Sequence, residues 1–129
     1  MKSGKKWVII VLVMMLVAAG IYIYQMPREP QKGYYNPGEA FVTNVSGSDK
    51  KIKASVVLEV KRDDMQDFFS EHNHVIRDSI LFVLCNKTET ELTSPKVQHD
   101  MKQEIASEIN DKLGEEYISG IYFNDYVLQ

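Results

Sequence analysis

Trp7 to Tyr24 is an unbroken run of 18 uncharged, almost wholly apolar residues, with Lys2, Lys5 and Lys6 directly before it. As a helix rising 1.5 Å per residue the run measures about 27 Å, against a hydrocarbon core of about 30 Å, so one helix suffices to cross a bilayer. The chain is therefore expected to be a single-pass membrane protein. Positive charge is retained on the cytoplasmic side, which places residues 1–6 inside, the span at 7–24 and everything after Gln25 outside. Trp7 at one end of the run and Tyr22 and Tyr24 at the other match the aromatic belts of the two interfaces. Val17-Ala18-Ala19-Gly20 offers the small residues of a cleaved leader, but the apolar run continues through Ile21 to Tyr24 and no cysteine follows for a lipid.

Gln25 to Pro37 carries three of the four prolines, with Gly33 and few aliphatic residues, and reads as an extended linker of up to roughly 40 Å. Residues 38–129 then remain for one small domain, of a size at which oligomerisation is a natural support. All 18 Asp and Glu lie beyond residue 28, and three of the 15 Lys and Arg precede it, so the exported part has a formal charge of −6. That balance disfavours nucleic acid as a partner. Cys85 is the single cysteine, so no intrachain disulfide forms; its apolar neighbours Leu81 to Leu84 favour a buried thiol.

Phe41, Val42 and Val45 suggest a first strand ending in Ser46-Gly47-Ser48-Asp49. Ile52, Ala54, Val56, Leu58 and Val60 alternate with mostly polar residues, as a half-buried strand hairpin-paired with the first. Asp63 and Asp64 open a helix in which Met65, Phe68, Phe69, His72 and Ile76 keep helical spacing. Its end, Ile80 to Leu84, is apolar all round and predicts cover on both sides, by the sheet and by a second helix or a neighbouring subunit. Ser94-Pro95 starts that second helix, Val97, Met101, Ile105, Ile109 and Leu113 form its stripe, and Gly114 stops it. Tyr117 to Gln129 reads as a strand. Strict alternation divides it into Ile121, Phe123, Asp125, Val127 and Ile118, Tyr122, Asn124, Tyr126, Leu128, so that both faces carry large apolar groups. Such a strand is central in its sheet or half of a contact with another molecule. The fold class is α+β: a β-β-α-α-β layer with helices on one face, preceded by the transmembrane helix.

Chemical machinery is not visible. His72 and His74 are two apart, which on a helix points them about 200° from each other, unlike a metal-ligand pair. Asp63-Asp64 and Glu115-Glu116 sit at element ends, where capping or solvation explains them. Ser79 and Ser107 lack a histidine partner, and no nucleophile elbow, phosphate-binding glycine loop or zinc spacing occurs. Asn44-Val45-Ser46 and Asn86-Lys87-Thr88 match a glycosylation sequon that arises often by chance. No catalytic, cofactor-binding or metal residue is assigned. Arg77-Asp78 is either a solvated helix pair or part of a subunit contact.

Several stretches resemble a known family, the flagellar basal-body protein FliL. They are Pro37-Gly38-Glu39-Ala40-Phe41-Val42-Thr43-Asn44-Val45, Leu58-Glu59-Val60, Ile76-Arg77-Asp78-Ser79-Ile80, Lys87-Thr88 with Glu91-Leu92, and the aromatic ending from Ile121 to Gln129. Val45 stands where the family often has Leu, and the turn after it is short. The resemblance implies an extracytoplasmic domain similar to the stomatin and prohibitin (SPFH) fold, forming a homo-oligomeric ring around the flagellar stator unit at the bacterial inner membrane. It implies a non-enzymatic helper of torque generation, motility, chemotaxis and swarming, with stator proteins as partners, together with rotor or basal-body ring proteins. Arg77, Asp78, Tyr122, Phe123, Tyr126 and Leu128 are the candidate interface residues. The alternative is a membrane-tethered ligand-binding or lipid-organising module unrelated to flagella.

Overall fold

The computed structural model describes residues 2–27 and 29–129. Helix α1, Lys2–Gln25, contains the whole apolar run, and its Ile, Val, Leu and Met side chains are exposed all round. Among the described residues it is the one helix long and apolar enough to cross a membrane. A surface of that composition is suited to lipid, where the helix satisfies its own backbone polar groups.

The domain is an antiparallel four-stranded sheet with helices packed on one face. Its strands are β1 (Gly33–Tyr35), β2 (Phe41–Asn44), β3 (Lys51–Val60) and β4 (Ile118–Leu128). The hairpin of β2 and β3 forms as its alternation predicts, with Phe41 opposite Ala54 and Thr43 opposite Ile52. β3 is the central strand: β2 and β1 share one of its edges at opposite ends, and β4 runs along the other. Ile52, Ala54, Val56, Leu58 and Val60 are all buried on the helical side.

β1 lies inside the stretch that the sequence presents as linker. Tyr34 and Tyr35 explain this: in an extended strand successive side chains go to opposite faces, so Tyr35 enters the core while Tyr34 stays outside. Proline content signals an extended chain but says nothing about whether that chain docks.

The expected helix from Asp63 is interrupted. A 3-10 turn, Asp63–Met65, leads into α2, Gln66–Glu71, and α3, Asn73–Cys85, begins after a break at His72. There the imidazole Nδ1 turns back to within 2.8 Å of the Phe68 carbonyl, giving that oxygen a partner outside the helical ladder. α3 packs against β2 and α5, yet its apolar end is covered incompletely: Phe82 is 55% exposed. Cys85 is exposed as well, against the buried thiol that its neighbours suggest. Five consecutive apolar residues on a helix point through more than a full turn, and the core buries Ile80, Val83 and Leu84, with Leu81 half-buried against it.

A short helix, α4, Glu89–Thr93, precedes the second long one. Thr88 and Glu91 cap it reciprocally, the Thr88 hydroxyl accepting from the Glu91 amide and the Glu91 carboxylate from the Thr88 amide. This T-x-x-E signature is legible in the sequence and marks a helix that the hydrophobic pattern alone does not reveal. α5, Pro95–Leu113, starts at proline and ends at Gly114, whose φ of 89° is the left-handed conformation of a helix stop. The Ser94 side chain makes no capping bond, so proline alone marks that start. Met101, Ile105 and Ile109 are fully buried, and Val97 and Leu113 half-buried, as the four-residue spacing predicts.

β4 departs most from its pattern. Its pairing with β3 slips twice, between Ser55 and Val56 and between Glu59 and Val60, where Asn124 and Ser119 are the extra residues. Each bulge inserts one residue and inverts the alternation beyond it. The helix-facing set becomes Ile118, Ile121, Phe123, Tyr126 and Leu128, and the outer set Gly120, Tyr122, Asp125 and Val127. Two equally greasy faces are thereby converted into one apolar face and one mixed face. Among the described residues β4 pairs with β3 alone, so it is an edge strand and not a central one.

Candidate functional site

The sheet face turned away from the helices is open, and it concentrates the exposed apolar groups of the domain. Tyr34 of β1, Val42 of β2, and Tyr122 and Val127 of β4 are each more than 40% exposed on it. The Tyr34 and Tyr122 rings meet edge to face, with centroids 6.2 Å apart. Aromatic groups held on a rigid sheet make contact area at low entropic cost, as in protein interfaces.

Glu59 organises the part of this face nearest β1. Its side chain lies across β4 at Gly120, where a Cβ would stand 3.3 Å from Glu59 Oε2; the missing side chain leaves it room. Tyr122 Oη donates to Oε2 at 2.8 Å, Ser119 Oγ donates to Oε1 at 3.2 Å, and Lys32 Nζ pairs with Oε1 at 3.4 Å. The Tyr122 bond is the main reason that the Glu59 carboxyl is held below its usual range, with the Ser119 and Lys32 groups adding to it against partial desolvation. The same bond, followed by the Glu59 charge, raises Tyr122 above its ordinary phenolic value.

A pH dependence follows. Glu59, with its value lowered on folding, contributes stability that is present above about pH 4.3 and lost as pH falls through the folded value. Tyr122, with its value raised, contributes below about pH 10 and loses that contribution as pH rises through its folded value. The difference in melting temperature between wild type and Tyr122→Phe is expected to be largest at neutral pH and to shrink at both extremes. A difference that stays constant from pH 3 to pH 8 would show that the bond does not form in solution.

The six candidate residues from the sequence do not share a surface. Arg77 points inward: Nη1 donates to the carbonyls of Pro37 at 3.2 Å and Glu39 at 2.9 Å, and the guanidinium lies 4.1 Å from the Phe41 ring centroid. Asp78, its neighbour, is exposed and pairs with Lys112 of α5 at 3.2 Å. Phe123 and Leu128 are half-buried against the core, and Tyr126 donates its hydroxyl to the Leu92 carbonyl at 2.7 Å, tying β4 to α4. Tyr122 alone of the β4 candidates stands on the open face. Tyr34, Lys32, Glu59 and Ser119 join it there without having been singled out; the adjacent tyrosines in a proline-bearing stretch were the available signal.

A groove of about 350 Å³ runs beside Tyr122 between β4 and α5, with Glu59 and Ile121 on one side and His99, Lys102 and Ala106 on the other. Among the described residues no group of three or more His, Cys, Asp or Glu stands together as a metal site. His72 stacks on Phe68 with ring centroids 4.3 Å apart while His74 is exposed, and the buried Ser79 hydroxyl donates to the Val75 carbonyl. Glu116 pairs with Lys61, and Asp64 with Arg62. Each group considered for chemistry thus has a structural partner or faces solvent.

The flagellar protein FliL of Aquifex aeolicus is 28% identical to the chain over 97 residues, which cover 74% of this chain. The chain spans about 60% of that relative's length. The family model described as flagellar basal body-associated protein FliL matches residues 34–129, from the outward tyrosine of β1 to the last residue. With three quarters of its length inside that match, the chain belongs to the FliL family of flagellar basal body-associated proteins.

Proposed function

We propose that the protein is a non-enzymatic, membrane-anchored component of the flagellar motor whose domain stands outside the cytoplasmic membrane with the N-terminus inside. Copies of the domain associate into a ring around the stator unit, in the manner of stomatin and prohibitin assemblies, and support torque generation and swarming. The observation that carries this reading is the open sheet face, where Tyr34, Tyr122, Val42 and Val127 are exposed beside the unpaired edge of β4. Long unpaired edges and exposed aromatic clusters are surfaces that other chains cover. Family membership and the apolar N-terminal helix support the location.

The mechanism is a shift of equilibrium. A ring that binds the open arrangement of a stator's linker more tightly than the closed one moves that equilibrium by its differential affinity and no further. In the full-length protein, Tyr122→Ala is expected to weaken self-association about tenfold or more, the scale of a central aromatic contact. Swarming is expected to fail before swimming. Association and swarming that match wild type in both Tyr122→Ala and Tyr34→Ala would remove this face as the contact surface.

A further inference from the structure

We propose that residues 31–39 are a releasable strap that sets how far the domain stands from its membrane anchor. The strap is the one covalent path from α1 to the domain, so any pull between the anchor and the sheet acts on it first. It is held by a compact set of contacts. Asp63 N–H donates to the Gln31 carbonyl at 2.9 Å, and Gln66 Nε2 to the Tyr34 carbonyl at 3.1 Å. Gly33 passes so close to the 3-10 turn that a Cβ there would lie 2.6 Å from that of Asp63. Tyr35 Oη donates to Asn73 Oδ1 at 2.7 Å, and Asn73 Nδ2 donates to the Pro37 carbonyl at 3.1 Å. Arg77 adds its two bonds to the carbonyls of Pro37 and Glu39.

The strap is short and lies on one edge of the sheet, and two side chains of α3 clamp it. β3 keeps β2 on the same edge and all of β4 on the other when β1 leaves. Release therefore opens one joint while the sheet and helices stay paired. With the strap docked, the five residues from Met26 to Pro30 separate α1 from it, a reach of at most about 18 Å; with it released the span runs from Met26 to Ala40, about 50 Å. Strands peeled from an edge are local openings of the kind that native-state exchange detects. The device makes reach a two-position property, and Arg77 and Asn73 are its positioning residues. The inference stands on the strap contacts and the anchor, and holds whether or not the domain forms a ring.

Two readouts on the full-length protein in lipid nanodiscs test it. The first is native-state hydrogen exchange of the β1 amides that bond to β3, compared with those of β4. Exchange at least about tenfold faster in β1 than in β4 is expected for wild type, and Arg77→Ala is expected to speed β1 further while leaving β4 unchanged. Exchange of β1 in step with β4 in the wild-type protein would overturn the proposal, since the strap would then open only with the whole domain. The second readout is energy transfer from a probe on Asp49→Cys, in a Cys85→Ser background, to labelled lipid headgroups. Asp49 lies in the turn at the far end of β3 from the strap. Arg77→Ala, and Asn73→Ala as the milder variant, are expected to lower the transfer; transfer equal to wild type in both variants would overturn the role in reach.

Discussion

Phe69→Ala is expected to lower the unfolding free energy of the domain by about 4 kcal/mol, the middle of the range for removing a buried aromatic ring. Phe69 has no exposed surface, and three rings surround it: Tyr35 at 5.6 Å, Phe68 at 5.6 Å and Tyr117 at 6.0 Å. These come from β1, α2 and the approach to β4, so the cavity opens where three separate segments meet and none can collapse alone to fill it. At about 4 to 8 °C per kcal/mol for a domain of this size, the melting temperature falls by roughly 20 °C. Phe82→Ala is the matched control, because that ring is more than half exposed; its cost is expected within about 0.5 kcal/mol. Thermal or urea unfolding of both variants checks the pair. A loss below about 1.5 kcal/mol for Phe69→Ala would mean that the cluster is not assembled as described.

Tyr35→Ala is expected to cost about 3 kcal/mol, although its residue lies in the stretch that composition assigns to a linker. The ring is 9% exposed and tilted against Phe69, and its hydroxyl meets Asn73. Tyr35→Phe keeps the packing and removes the hydrogen bond, for about 1 kcal/mol. Because the rings of Tyr35 and Phe69 touch, the double alanine variant is expected to lose less than the two single losses combined, by about 0.5 to 1.5 kcal/mol. A soluble fragment beginning at residue 38 lacks Tyr35 and carries the same deficit; one beginning at residue 31 does not. Equal melting temperatures for the two fragments would place Tyr35 outside the core. The comparison also defines the smallest domain suitable for association experiments, which must include β1.

What was legible in the sequence was set by neighbours close along the chain. The apolar run of α1 declares itself because nothing outside it is needed to satisfy its backbone. The stripe of Met101, Ile105 and Ile109 and the alternation in β3 are likewise local periodicities, and both faces are buried as those periodicities require. Even the missed α4 had its cap written in Thr88 and Glu91.

The parts that sequence did not reveal depend on partners far away. Whether a proline-bearing segment docks depends on Asn73 and Arg77, about 40 residues later, offering hydrogen bonds to its carbonyls. Arg77 and Asp78 look like one surface pair in the sequence, but their neighbours on α3 turn one inward to the strap and the other outward to Lys112. Of the candidate interface residues on β4, Tyr122 reached the open face, while Phe123, Tyr126 and Leu128 turned toward the helices.

The sequence by itself determined the long apolar N-terminal helix, the α+β class, the hairpin of β2 and β3, and the family. The first three rest on composition or on local periodicity, and the family on the order of short stretches spread from Pro37 to Gln129. The tertiary structure decided the outward face of β4, the exposure of Cys85 and Phe82, and the docking of β1. The physical reason is that one added residue in a strand pair inverts every side chain beyond it, and the position of a bulge is settled by the strand across the sheet and not by the strand that contains it.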